Sequence, residues 1–165
     1  MSSHFGALDE LEALVDATHF FDWIVESFGP AIGPRTLEVG AGLGTVSRTI
    51  RRLHPEVEVV ALEPAANVFP GLVDRVGDDA LLEVRQATST DVLAADGAGR
   101  FDTVVYVNVL EHIENDLGEL GTARGLLAPN GHLCIFVPAM PGLYSGIDFK
   151  SGHYRRYTKE SLRVL

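Results

Sequence analysis

Three glycines at alternate positions, Gly40, Gly42 and Gly44, break the apolar run that starts at Leu37. Glycine admits positive φ and lets a ligand come close to the backbone, and a helix starting beyond such a turn offers unpaired N–H groups to an anion. The segment Leu37-Glu38-Val39-Gly40-Ala41-Gly42-Leu43-Gly44-Thr45 therefore reads either as a ligand cradle or as a tight connection that holds nothing. A dinucleotide fingerprint, G-x-G-x-x-G/A, needs a small third residue where this chain has Thr45, so the spacing speaks against NAD. Glu63 ends the next apolar run, where a carboxylate accepts hydrogen bonds from both hydroxyls of a ribose; the alternative is a helix-capping or surface acid. Removing a proton near neutral pH is work for histidine. His112, just past the fourth apolar run, and His153, in the C-terminal segment, are the candidate bases; a cap for the following helix and a loop surface are their ordinary alternatives. Tyr144, Tyr154, Arg155 and Tyr157 are the candidate acceptor contacts, with the exposed surface as the alternative. His4, His19, His54 and His132 show no metal-ligand spacing, and no metal is expected.

These residues need elements to position them. Leu8, Leu11, Leu14 and Val15 recur at helical spacing, and Phe20, Trp23, Ile24 and Phe28 continue the pattern until Gly29-Pro30 stops it. Residues 1–33 thus form an N-terminal helical segment ahead of a core at 34–165. Short apolar runs at Thr36–Val39, Val57–Leu62, Leu81–Val84, Thr103–Val109 and Leu133–Val137 read as five buried strands. Val46, Ile50 and Leu53 mark a helix after the first strand, Val68, Leu72, Val73 and Val76 one after the second, and Leu117, Leu120 and Leu126 one before the fifth. The last of these carries Gly118, Gly121 and Gly125, each costing about 1 kcal/mol against alanine. Strand alternating with helix implies an α/β fold, doubly wound and Rossmann-like, with a parallel sheet of about five strands and helices on both faces. In such a fold the glycine turn and Glu63 share the carboxyl edge of the sheet, where strand order reverses and ligands bind.

Composition narrows the choice of partner. The 165 residues suit a single domain, and 46% hydrophobic with 22% charged residues is ordinary globular composition. The net charge of −10 repels phosphate backbones and anionic lipid, so neither nucleic acid nor membrane is expected as a partner. No apolar run approaches the roughly 18 residues of a membrane span and no signal peptide opens the chain, which points to the cytoplasm. Cys134 is the only cysteine, which excludes an internal disulfide framework and any multi-thiolate zinc site. Acidic residues Asp9, Glu10, Glu12, Asp16, Asp22 and Glu26 crowd the first segment, and Lys150, Arg155, Arg156, Lys159 and Arg163 the last. These are two solvated surfaces, or else a basic tail that faces an anionic substrate or folds over the acidic segment.

The same segments resemble the class I S-adenosylmethionine-dependent methyltransferases. The matching pieces are Leu37–Thr45, the acidic Val60-Ala61-Leu62-Glu63-Pro64, Phe101–His112, and Leu126-Leu127-Ala128-Pro129-Asn130-Gly131-His132-Leu133, in family order over residues 36–138. Gly152-His153-Tyr154-Arg155-Arg156-Tyr157-Thr158 is similar to a bacterial branch that acts on small molecules. The resemblance implies S-adenosylmethionine as cofactor and a small-molecule acceptor methylated on O, N or C. It implies Gly40, Gly42 and Gly44 beneath the methionine part, Glu38 ordering that loop, and Glu63 with Pro64 at the ribose. It further implies Thr88 and Ser89 beside the adenine, where the family often has an aspartate, and Asn108 at the methionine end. The sulfonium carries an already activated methyl group, so in-line placement of a nucleophile is the main task. Phe20, Phe21 and Trp23 either offer this cation an aromatic face or are plain core. A cofactor-binding protein without competent catalysis and an NAD-dependent oxidoreductase are the alternatives.

The last expectation concerns the C-terminal end. Pro138–Tyr157 reads as a loop, and Thr158 caps a helix begun by Ser161, Leu162 and Leu165. The family ordinarily continues into two more strands, so a truncated chain with an open fifth-strand edge that promotes homodimer formation is expected.

Overall fold

The computed structural model describes Gly6 and residues 8–165; His4 lies outside them, as do the side chains of Asp9 and Glu10. The N-terminal segment is two helices, α1 (Leu8–Leu14) and α2 (Thr18–Phe28), where the periodicity read as one pattern. The chain turns between them, with Ala17 N–H bonded to Leu14 O at 3.0 Å. The core then alternates as expected: β1 (Arg35–Val39), α3 (Thr45–Leu53), β2 (Glu58–Leu62), α4 (Phe69–Val76), β3 (Leu82–Arg85), α5 (Ser89–Asp96), β4 (Phe101–Val107), α6 (Asp116–Leu126) and β5 (Leu127–Phe136).

All five strands are parallel, in the order β3-β2-β1-β4-β5, so the reversal falls between β1 and β4. Val39 of β1 is level with Leu62 of β2 and Tyr106 of β4, which brings the three carboxyl ends to one edge. Alternate strand residues feed two cores. Val59, Ala61, Val105 and Val107 pack with Ile24 and Val25 of α2, Ile50 of α3 and Leu72 of α4. Leu37, Val60, Leu62, Val104 and Tyr106 pack on the other face with Val92 of α5 and Leu120, Ala123 and Leu126 of α6. Covering on both faces is what near-continuous apolar strands require.

Four expectations need correction. β4 stops at Val107, because Asn108 turns into the left-handed region at φ 54°, a conformation that Asn tolerates better than the flanking valines do. β5 is longer than its apolar stretch and only Cys134 in it is buried, with Leu133 at 38% exposure. Its only strand neighbour among the described residues is β4. Pro138–Tyr157 is not plain loop: it contains a 3-10 turn at Pro141–Leu143 and a short helix, α7 (Gly146–Lys150), whose N-cap Ser145 forms a capping box with Asp148. Val73 and Leu81, taken as helix and strand core, are exposed. The Thr158 cap is present and starts α8 (Lys159–Arg163). No helix among the described residues is long and apolar enough to cross a membrane.

Candidate functional site

The level carboxyl ends of β1, β2 and β4 open onto a cavity of about 570 Å³, and Gly40, Gly42, Glu63, Pro64, Asn108 and His112 are among its walls. Gly40 has φ +73°, and a Cβ there would stand 2.7 Å from a Val109 methyl, so both conformation and space demand glycine. At Gly42, φ +57°, the N–H points across the strand ends and donates to Glu63 Oε2 at 2.9 Å, while the Ala65 N–H donates to Oε1 at 2.8 Å. Glu63 is buried. Burial pushes its carboxyl upward, and the Ala65 and Gly42 N–H groups draw it back down. Gly44 has another job. It precedes α3, and a Cβ there would meet Leu72 at 2.8 Å, so it seats α4 and does not line this cavity.

A second cavity, about 240 Å³, shares Gly40, Gly42, Asn108 and His112 with the first and adds Glu38, Glu111 and His153. Glu38 is buried at the base of the glycine turn and accepts a hydrogen bond from the Ser47 hydroxyl. Burial pushes its carboxyl up to about 8 despite that bond. Past Asn108, whose N–H donates to Phe136 O at 2.8 Å, a 3-10 turn holds Leu110–His112. The C-terminal segment folds over this turn: Tyr154 N–H bonds Glu111 O at 2.7 Å, and the His112 and His153 rings meet edge to face at 4.6 Å. His153 Nδ1 lies 3.1 Å from Asp148 Oδ1. The Arg156 Nε at 2.7 Å and the Ser145 N–H at 2.8 Å fix the same carboxylate, and Arg156 above all keeps it well below the usual carboxylate range. Glu111 is fully buried, and neither of its oxygens has a hydrogen-bond partner. Burial pushes its carboxyl up to about 7.

The other expected site residues divide. Tyr154 lines the larger cavity. Tyr144, Arg155 and Tyr157 line neither cavity and act as braces: the Tyr144 hydroxyl donates to His153 O at 2.6 Å, and Arg155 pairs with Asp116 at 2.5 Å. The buried Tyr157 hydroxyl lies 2.9 Å from Asp116 Oδ2. Thr88 spends its side chain on a capping box with Asp91, and Ser89 is buried in the first turn of α5 with its hydroxyl unpartnered; neither lines the two cavities. Phe21 lines the smaller cavity, whereas Phe20 and Trp23 pack on Phe136, each with ring centroids 5.9 Å from it. The basic tail pairs with Asp116 and Asp148, and no described ion pair ties it to the acidic N-terminal segment. Residue patterns did not single out Glu111 or Asp148. An acid set among Val109, Leu110 and Ile113 is the signal that would have found Glu111.

The family described as "Methyltransferase domain" matches residues 37–133, from the glycine turn to the fifth strand. The chain belongs to this family. Among its relatives is the ubiquinone biosynthesis O-methyltransferase of Ralstonia nicotianae, 30% identical over 137 residues that make up 80% of this chain and 52% of that protein. The enzyme of the same name from Xanthomonas euvesicatoria is 32% identical over 101 residues, 61% of this chain and 41% of that one. The methyltransferase domain described here thus spans about half or less of the length of these relatives. Its fold is shared with an O-methyltransferase family protein from Burkholderia thailandensis, at a TM-score of 0.75 and 17% identity over 93% of this chain and 51% of that one. It is shared too with phosphoethanolamine N-methyltransferase 2 of Haemonchus contortus, a structure in complex with S-adenosyl-L-methionine, at a TM-score of 0.73 and 19% identity over 88% of this chain and 35% of that one.

Proposed function

We propose that this methyltransferase domain binds S-adenosylmethionine at the carboxyl ends of β1, β2 and β4 and transfers its methyl group to a small-molecule acceptor. The observation that carries the reading is the Glu63 carboxylate, immobilised by the Gly42 and Ala65 N–H groups at the wall of the larger cavity. A carboxylate offers about four lone-pair positions. With two taken by backbone donors, the rest are free for a pair of ribose hydroxyls. The site also suits a cation, since the Glu63 carboxylate stands at its wall and no described Lys or Arg lines the larger cavity. When bound, S-adenosylmethionine supplies a methyl group already activated on a sulfonium centre. Gly40 and Gly42 provide the bare backbone against which the methionine part would lie, and Asn108 stands beside them. Tyr154 and His112 line the remaining wall, where the acceptor would be oriented and where His112 would take up its proton.

The relatives named for ubiquinone biosynthesis favour oxygen as the accepting atom. Calorimetry with S-adenosylmethionine, S-adenosylhomocysteine and NAD tests the first half of the proposal: the first two should bind and NAD should not. A labelled-methyl screen against phenols, amines and carbon acids tests the second. A folded protein that ignores S-adenosylmethionine would sink the reading.

A further inference from the structure

Resting on the methyl-transfer reading, we propose that His153 receives from His112 the proton that the acceptor gives up, and that Asp148 is the positioning residue that holds His153 for this role. In that reaction the acceptor's electron pair forms the new bond to the methyl carbon, the carbon–sulfur bond leaves its pair on sulfur, and the released proton goes to His112. His112 must be neutral again before the next turnover. A second base beside it gives the proton somewhere to go. The rings of His112 and His153 meet edge to face at 4.6 Å, and a nitrogen of each lies within 4.8 Å of one on the other. One bridging water spans such a gap.

His153 is held as a base would be. Its side chain is only 16% exposed and lines the smaller cavity, while its Nδ1 lies 3.1 Å from Oδ1 of an Asp148 side chain that is 1% exposed. With Nδ1–H donating to a carboxylate, Nε2 is the basic nitrogen left over. A carboxylate in this place fixes the tautomer and the ring orientation, and stabilises the imidazolium when it forms. Capping α7 accounts for Oδ2 alone, which takes the Ser145 N–H at 2.8 Å. The cap does not need Oδ1, and Oδ1 is the atom that meets His153 and Arg156 Nε. Arg156 adds a second bond, Nη2 to Oδ2 at 3.1 Å, and keeps the carboxylate ionised, so that it remains an acceptor for Nδ1–H. The two residues are five apart in sequence, and the His153 N–H on Asp148 O at 2.9 Å closes the turn between them. The pair is thus built within one segment and then laid against His112. Besides Asp148 and Arg156, the titratable groups that share its surroundings are His112 and Glu111 of the 3-10 turn and Glu38 at the base of the glycine turn.

The first test reads the imidazoles themselves by NMR on nitrogen-labelled protein. Neutral His153 should carry its proton on Nδ1. Asp148→Asn keeps an oxygen for the Ser145 N–H but removes the charge, and should lower the His153 titration midpoint by about one pH unit, because the carboxylate is gone and Arg156 loses its counter-charge. A midpoint and tautomer unchanged in this variant overturn the proposal, whatever turnover does. The second test is methyl transfer to catechol. His153→Gln still donates to Asp148 but cannot pass a proton on, so kcat should fall about tenfold or more while KM and S-adenosylmethionine affinity stay within about twofold. Added imidazole should restore turnover in His153→Ala, which a merely structural histidine would not allow. Wild-type kcat in His153→Gln, or a loss in His153→Ala that imidazole leaves untouched, also overturns the proposal. The His153 variants carry the test should Asp148→Asn fail to fold. Titrating S-adenosylmethionine into the wild-type protein separates the two readings: binding without the Nδ1 tautomer removes only the histidine pair, and the tautomer in a chain that ignores S-adenosylmethionine strikes the methyl-donor reading.

Discussion

Around Gly40, Gly42 and Glu63 the cavity wall is backbone and one carboxylate held by backbone, whereas around Glu111, His112 and His153 it is side chains delivered from two distant segments. The first region is complete without a ligand, since Glu63 has both oxygens bonded to N–H groups that the strand ends aim at it. The second is incomplete, since Glu111 has neither oxygen bonded. A preformed backbone cradle suits a ligand that is the same in every cycle. A side-chain wall delivered by two distant segments suits a ligand whose shape and polarity can vary.

Gly40→Val is the most severe test of the backbone region. A β-branched residue at φ +73° is strained by about 1–3 kcal/mol, and a Cβ 2.7 Å from Val109 adds about 1–3 more by overpacking. A loss of about 3 kcal/mol or more in urea unfolding is expected. A variant of normal stability would mean that the turn relaxes freely and is no fixed cradle.

Glu63→Ala comes next in size and leaves the turn in place. Removing a charged acceptor from the proposed ribose hydroxyls should weaken S-adenosylmethionine binding by about 1.5–3 kcal/mol, roughly 10- to 150-fold. Calorimetry reads this directly. Unchanged affinity would make Glu63 a brace for Gly42 and nothing more.

The glycine turn also carries a pH signature through Glu38. Its carboxyl is raised from 4.5 to about 8 when folded, so between those values the folded chain keeps a proton that the unfolded chain has released. Stability therefore falls as pH rises through that window, by up to about 1.4 kcal/mol per pH unit, and is flat on either side. Glu63, raised in the same direction, adds to the same sign. Glu38→Gln should flatten much of the slope in urea midpoints measured across the window. A wild-type slope of opposite sign would show that Glu38 is ionised in the fold.

The two regions also differ in how far they could be read from sequence, and for one reason. The glycine turn, Glu63 and the Thr158 cap are local: each follows from strand periodicity or from bonds within a few residues, and each is where the pattern puts it. The end of β4 was misread because Val107 and Val109 continue the apolar run, and only the left-handed tolerance of Asn108 marks the break. The histidine wall depends on contacts that no spacing encodes, such as Tyr154 N–H on Glu111 O and the Ala139–Tyr157 bridge. Tyr144, Arg155 and Tyr157 looked like acceptor contacts because aromatic and basic side chains in a glycine-rich segment have that composition. Their hydrogen bonds show what they are for: they pin the segment down.

That pinning gives the smallest effect and the sharpest separation of the two regions. The Tyr157 hydroxyl lies 3.1 Å from Leu110 O and 2.9 Å from Asp116 Oδ2, tying the C-terminal segment to the turn that holds Glu111 and His112. Tyr157→Phe keeps the buried ring and deletes only this hydroxyl. The stranded groups keep other partners, Ile113 N–H at 3.1 Å for Leu110 O and Arg155 at 2.5 Å for Asp116. The cost in stability should therefore stay near 1 kcal/mol, the usual worth of one hydrogen bond. The consequence for the site should be one-sided. Loosening the segment shifts His153 against His112 and lowers turnover, while Glu63, Gly42 and Ala65 feel nothing and S-adenosylmethionine binds as before. If nucleoside affinity falls together with turnover in Tyr157→Phe, the two walls are one mechanical unit and the division between them fails.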